Sequence, residues 1–221
     1  MRLPRLHLVT SDDVLCAPGF ASRLERVLEA CGADVALHVR GHGLQGRALH
    51  ALAEHVRRGA ERTGALVLVN DRVDVAMAAG VHGIQLGRRS LPIAEARRLL
   101  GAAAWIGYSA HAAEEAASAV RAGADFVVLG TVYPTATHPG EPGAGVGRIR
   151  EGAAVAGAPV VAIGGITPGR VGAVLRAGAY GVAVLSGVWS AADPAGAALD
   201  YLEALREGAS HGGDDRDHVE R

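Results

Sequence analysis

Lysine is absent: all 22 basic residues among the 221 are arginine. Schiff-base catalysis, a lysine anchor for pyridoxal phosphate and a Walker-A phosphate loop are therefore excluded. Cysteine is nearly absent. Cys16 and Cys31 stand in no CxxC spacing, which suits two free thiols in a cytoplasmic protein. No apolar run approaches the ~18 residues of a membrane span, so no membrane partner is expected. The opening MRLPRLHLVT enters a strand-like segment directly, without the plan of a signal peptide. A net charge of −1 gives no reason to expect nucleic acid as a partner. The ten histidines include no HExxH, no serine sits in GxSxG, and no carboxylates pair as in glycosidases. Neither a metal site nor a cofactor is expected.

Eight β-branched or apolar runs are present: Leu6 to Thr10, Val35 to Arg40, Ala65 to Val69, Gly83 to Leu86, Ala104 to Tyr108, Phe126 to Gly130, Val160 to Ile163 and Val182 to Leu185. Most are continuously apolar, as in strands covered on both faces. Helical spacing lies between them, as in Leu24, Val27, Leu28 and Cys31, or Leu199, Leu202 and Leu205. A glycine precedes each strand after the first: Gly32, Gly64, Gly80, Gly101, Gly123, Gly157 and Gly178. Each stands where a helix ends in the left-handed conformation. Alternation of this kind at this length predicts a (β/α)8 TIM barrel, with an open doubly wound sheet as the alternative. No GxGxxG follows the first strand to support the open sheet. Residues 1–207 form the expected single domain, and the polar tail 208–221 is expected to be disordered.

Active sites of such barrels form where strands end. Strand two carries His38, Arg40 and His42 on one face against Leu37 and Val39, which predicts a polar pocket wall. Strand three ends in Asn70-Asp71, which line the site or cap the next helix. Strand four brings Gln85, Gly87 and then Arg88-Arg89-Ser90. Strand five ends in Ser109-Ala110-His111, where His111 faces the mouth as a proton carrier or, equally, caps the following helix. A long loop, Thr131 to Gly145, holds Thr135 and His138 and has the length of a lid. After strands seven and eight, Gly164-Gly165 and Ser186-Gly187 offer bare N–H groups to a phosphate, or simply make tight turns. Thr167-Pro168 and Asp193-Pro194 are helix starts.

Several stretches together resemble the thiamine phosphate synthase superfamily. They are Leu8-Val9-Thr10, Val39-Arg40, Val69 to Ala76, Ile106-Gly107 with Ser109 and His111, Gly123 to Val127, Pro134-Thr135 with Thr137, and Ala162 to Ile166. The resemblance implies a (β/α)8 barrel holding a thiazole-type ethyl phosphate at its last two turns. One branch couples hydroxymethylpyrimidine diphosphate to thiazole phosphate with Mg2+. The other, the TenI type, only moves a proton on the thiazole. Where the synthase pattern has Gln-x-Arg-x-Lys, this chain has His38-Val39-Arg40-Gly41-His42. In place of Gly-Gln-Glu-Asp it has Gly87-Arg88-Arg89-Ser90, and in place of a further Lys it has His138.

These departures lead to an expected thiazole tautomerase. His111 would be its acid and base. Arg40 would hold the substrate carboxylate, with His38, Asn70, Ser109 and Thr135 lining the site and Gly164, Gly165, Ser186 and Gly187 holding the phosphate. The alternatives are an active thiamine phosphate synthase and a non-catalytic thiazole-phosphate-binding regulator. The expected partner is the small-molecule thiazole phosphate carboxylate; a homodimer through Leu199, Leu202 and neighbouring helices is the other partner considered.

Overall fold

The computed structural model describes residues 2–135, 140 and 142–210. Eight parallel strands close in sequential order into a barrel. They are β1 (Leu6–Val9), β2 (Val35–Val39), β3 (Leu66–Asn70), β4 (Gly83–Leu86), β5 (Trp105–Ala110), β6 (Phe126–Gly130), β7 (Val160–Ile163) and β8 (Gly181–Val184). Among the described residues ten α-helices surround them: α1 (Asp12–Cys16), α2 (Phe20–Cys31), α3 (Gly46–Thr63), α4 (Val73–Ala79), α5 (Ile93–Leu100), α6 (Ala113–Arg121), α7 (Gly145–Ala156), α8 (Pro168–Arg176), α9 (Ser186–Trp189) and α10 (Pro194–Ser210). All eight expected strands are present, shifted by one or two residues at some ends. The seven glycines before strands β2 to β8 all have positive φ, from 53° at Gly32 to 104° at Gly123.

Each strand buries both faces, because alternate side chains point in opposite directions. Leu6, Leu8, Leu37, Val39, Val67 and Val69 face the helices in the outer core. Val9, Ala36, Leu66, Leu68, Trp105, Phe126, Val128 and Val161 fill the barrel interior. This double burial explains the continuously apolar strands and supplies most of the stabilisation, roughly 2 kcal/mol per large aliphatic side chain. Gly107 lies at a crowded point: a Cβ there would strike Gln85 Oε1 and the Phe126 ring. Its bareness lets a polar side chain and an aromatic one share one interior layer.

At the amino-terminal end, Asp125 accepts from Arg97 Nη2 and from the Ile106 N–H, both at 2.7 Å. The Asp125 matched with the superfamily thus ties β5 to β6 away from the cavity. Thr167 and Pro168 start α8 as expected, though the Thr167 side chain makes no capping hydrogen bond.

Three details differ from the sequence reading. Helix α10 runs to Ser210, so residues 208–210 are helical where a tail was expected; the remaining tail lies outside the described residues. Leu202 is buried while Leu199 is 43% exposed. Packing thus takes Ala198, Tyr201, Leu202 and Leu205 as the inner face and removes Leu202 from any dimer surface. Asp71 does not cap α4: Arg72 is the N-cap residue, and Asp71 itself is left-handed with φ 64°. Both cysteines are free, Cys16 exposed and Cys31 buried. Among the described residues no helix is long and apolar enough to cross a membrane.

Candidate active site at the carboxyl end of the barrel

A cavity of about 550 Å³ opens where the strands end. Its floor is polar without being charged. His38 lines it while only 1% exposed, and Gln85 lines it at 2%. His38 Nε2 lies 2.8 Å from Nδ1 of the fully buried His7, and His7 Nε2 lies 3.0 Å from the Pro4 carbonyl oxygen. Burial pushes the His7 imidazole down to about 4, against the partial support of the Pro4 carbonyl. Burial also holds His38 well below its ordinary value, and His7 beside it adds to this. Both rings are therefore neutral at pH 7. Gln85 Nε2 donates to Ser109 Oγ at 2.9 Å. Asn70 partly opposes the lowering of His38, and Asn70 Oδ1 and Gln85 Oε1 are buried with no hydrogen-bond partner among the described residues.

The mouth carries full charges. Asp71 is the one carboxylate among the described lining residues. Its left-handed backbone turns the side chain across the strand ends, with its N–H on the Gln85 carbonyl at 2.9 Å. Its Oδ1 accepts from Ser90 Oγ at 2.5 Å, and Ser90 Oγ accepts the Gly87 N–H at 2.8 Å. His42 Nδ1 lies 3.6 Å from Asp71 Oδ2. Arg40 and Arg89 line the same opening without an ion-pair partner among the described residues.

Glu115, on α6, organises the other rim. It accepts from Arg88 Nε at 3.1 Å, from the Tyr108 hydroxyl at 3.3 Å and from the His111 N–H at 2.8 Å. Partial burial would raise the Glu115 carboxyl, but the Arg88 guanidinium and the His111 N–H outweigh it and hold it below the usual range. Tyr108 is pushed up by burial and by the Glu115 charge. His111 is thus fixed through its backbone at the mouth. Neither Ser109 nor His111 caps α6: its N-cap residue is Ala112, with no side-chain cap bond.

The two glycine turns flank the cavity on the far side from Asp71. Gly164 lines it; Gly165, Ser186 and Gly187 are not among the lining residues. The bareness of two of these glycines has a packing cause. A Cβ on Gly165 would strike the Pro134 carbonyl, and one on Gly187 would strike the Tyr201 hydroxyl, which donates to the Ile166 carbonyl at 2.8 Å. The N–H groups of Gly164, Gly165, Ser186 and Gly187 have no acceptor among the described residues.

The cavity thus unites the expected Arg40, His38, Asn70, Ser109, His111, Thr135 and Gly164. Thr137 and His138 lie outside the described residues. The cavity also brings in His42 from the expected polar wall, Asp71 from the end of strand three, and Gln85, Arg88 and Arg89, which the sequence reading gave no role in the site. His7 and Glu115 were missed altogether. Strand alternation would have flagged His7, the polar residue on the inward face of β1. Glu115 stands four residues after His111, a local spacing, while its contact with Arg88 depends on the fold.

The model of the family described as thiamine monophosphate synthase matches residues 6–188. The thiamine-phosphate synthase of Salinispora arenicola is 40% identical over 205 residues, covering 92% of this chain and 98% of that protein. The one from Methanoculleus marisnigri is 38% identical, covering 94% and 98%. A thiamine biosynthesis bifunctional protein of Symbiobacterium thermophilum is 49% identical over 156 residues; the match spans 70% of this chain and 32% of that longer protein. A solved thiamine phosphate pyrophosphorylase from Pyrococcus furiosus superposes with a TM-score of 0.80 at 29% identity, covering 92% and 96%.

These relatives overturn the expected tautomerase, and isomerase with it. The expectation treated each departure from the synthase pattern as a lost function. At the mouth, however, His42, Arg88, Arg89 and Ser90 keep polar and cationic groups around Asp71. Solvated charges can exchange one donor for another with little penalty. Barrel topology, cavity position and near-full-length likeness agree: the chain belongs to the thiamine monophosphate synthase family.

Proposed function

We propose that this protein is a thiamine-phosphate synthase, joining hydroxymethylpyrimidine diphosphate to thiazole phosphate. The observation that carries the reading is the 40% identity to a thiamine-phosphate synthase over 92% of this chain and 98% of the relative. The cavity supports it by having an anion-suited side at each edge and a neutral polar floor between them.

In this reading the pyrimidine ring sits on the floor against His38, Asn70, Gln85 and Ser109. Its diphosphate reaches Arg40 and Arg89 at the mouth. The thiazole phosphate lies along Gly164, Gly165, Ser186 and Gly187, whose open N–H groups suit phosphate oxygens. The bond between the pyrimidine methylene carbon and the diphosphate oxygen breaks, and the oxygen keeps the electron pair. The thiazole nitrogen lone pair forms the new carbon–nitrogen bond. Nitrogen needs no deprotonation in this step, so a general base is not required. Fixed donors aimed at the departing diphosphate supply the catalysis. Arg40, Arg89 and His111 are in place for it.

The family resemblance implies a magnesium ion with the diphosphate. The donor set fits an ion that arrives on the substrate. Mg2+ takes one or two carboxylates, phosphate oxygens and water, and Asp71 with the Ser90 hydroxyl 2.5 Å away offers one carboxylate and one neutral oxygen. Its chemistry there is to neutralise charge on the diphosphate. The protein, supplied with both substrates and Mg2+, should form thiamine phosphate and release one diphosphate per product, followed by chromatography. No product at saturating substrates would reject the reading.

A further inference from the structure

The turn after β7 is tied on one side and open on the other. Three consecutive carbonyls are held by the β6–α7 segment or by a side chain resting on it. Ile163 O accepts the Val132 N–H at 2.9 Å, Gly164 O accepts the Tyr133 N–H at 3.0 Å, and Gly165 O accepts from Arg170 Nη1 at 2.7 Å. The Arg170 guanidinium in turn lies over the Tyr133 ring, 4.5 Å from its centroid. An extended chain would point successive carbonyls to opposite sides. A φ of 106° at Gly164 and 60° at Gly165 turns these to one side.

A trans peptide plane carries its N–H opposite its C=O. The three tied carbonyls therefore send the N–H groups of Gly164, Gly165 and Ile166 away from the β6–α7 segment. None of the three has an acceptor among the described residues, although Ile166 is only 5% exposed. A buried N–H is seldom left unpaired, and successive N–H groups turned to one side form a concavity for an anion. Gly164 lines the cavity. The first two carbonyls are held by main-chain groups. The third depends on one side chain, that of Arg170 at the third position of α8. The segment it leans on is itself fixed: the Ala144 N–H donates to Thr131 O and the Gly145 N–H to Val132 O, both at 2.8 Å.

We propose that Arg170 is a positioning residue for the phosphate subsite: stacked on Tyr133, it holds the Gly165 carbonyl outward and so keeps the Ile166 N–H beside those of Gly164 and Gly165 as a cradle for a phosphate monoester. The proposal rests on the synthase reading for the identity of that ester, thiazole phosphate. Arg170 acts through the turn, with its guanidinium directed at a carbonyl and a ring face and not at the ligand.

Calorimetry on the full chain tests it with three probes: thiazole phosphate, the thiazole alcohol that lacks the phosphate, and hydroxymethylpyrimidine diphosphate. The unsubstituted protein should bind the ester at least about 10-fold more tightly than the alcohol. Arg170→Met should weaken the ester roughly 3- to 10-fold, the worth of one hydrogen bond, and leave the alcohol and the pyrimidine diphosphate unchanged. Arg170 is exposed, so the urea midpoint should stay in place. Tyr133→Leu keeps the Arg170 charge and removes its support, and should weaken the ester roughly 2- to 5-fold. Unchanged ester binding in either variant overturns the proposal; loss in Arg170→Met alone would direct the Arg170 charge at the ligand itself. Equal loss for ester and alcohol in Arg170→Met overturns it too, because the effect would then be structural. An unsubstituted protein that prefers the ester but does not bind the pyrimidine diphosphate overturns the synthase reading, while the two variants still decide the cradle. One that binds the pyrimidine diphosphate but does not prefer the ester overturns the cradle and leaves the synthase reading standing.

Discussion

At the floor of the cavity, His7, His38, Asn70 and Gln85 are polar, uncharged and buried or half-buried, with His7 bonded to His38 and the Pro4 carbonyl and Gln85 to Ser109. At the mouth, Arg40, His42, Asp71, Arg88 and Arg89 carry or can carry charge beside water. The difference follows from the surroundings. Away from water an ion is far costlier than a neutral polar group, so the floor is polar and neutral. Beside water, charges are weakly constrained in position and one cation can replace another. Change should therefore cost stability and selectivity at the floor, and rate at the mouth.

The sharpest test of this contrast is Asp71→Asn. It should lower kcat by roughly 100- to 1,000-fold, as for loss of a principal electrostatic partner of the transition state. The Mg2+ requirement should rise while the urea midpoint stays put. A matching fall in stability would break the contrast, because Asp71 would then be structural.

Acid should act on the floor. The folded chain holds His7 at about 4, while the unfolded chain titrates it near 6.5. Between these values the unfolded chain binds a proton that the folded chain refuses. Stability is therefore complete above pH ~6.5 and is lost as pH falls toward 4, by on the order of 3 kcal/mol for His7. His38 is displaced in the same direction and steepens the loss. Urea melts between pH 7.5 and 4 measure it; a flat profile would mean that the histidines are solvated.

Arg40→Ala should reduce kcat/KM for the pyrimidine diphosphate by roughly 10- to 100-fold, the worth of a charge-assisted contact, without moving the KM for thiazole phosphate. Equal effects on both substrates would place Arg40 between them. The smallest effect belongs to Arg88→Gln. Arg88 is pulled toward Glu115 on the exposed rim, and its loss should alter turnover by no more than a factor of about three in steady-state assays. A larger loss would show that Glu115 needs Arg88 to hold the His111 N–H.

The chain by itself determined the barrel. Eight apolar runs and seven glycines between them carry the architecture because strand burial and left-handed helix ends are local demands, met within a few residues of sequence. The lining of β2 was legible for the same reason: alternation alone puts His38 and Arg40 on one wall. The reaction was not legible, because the exchange of lysine and carboxylate for His42, Arg89 and Ser90 looks like loss until their common position around Asp71 is seen. Tertiary structure alone decided that Arg88 meets Glu115, that Gly187 is bare for the Tyr201 hydroxyl, and that Leu202 rather than Leu199 is buried. It also decided the contact of His7 with His38, which joins residues 31 positions apart that only closure of the barrel brings within 3 Å.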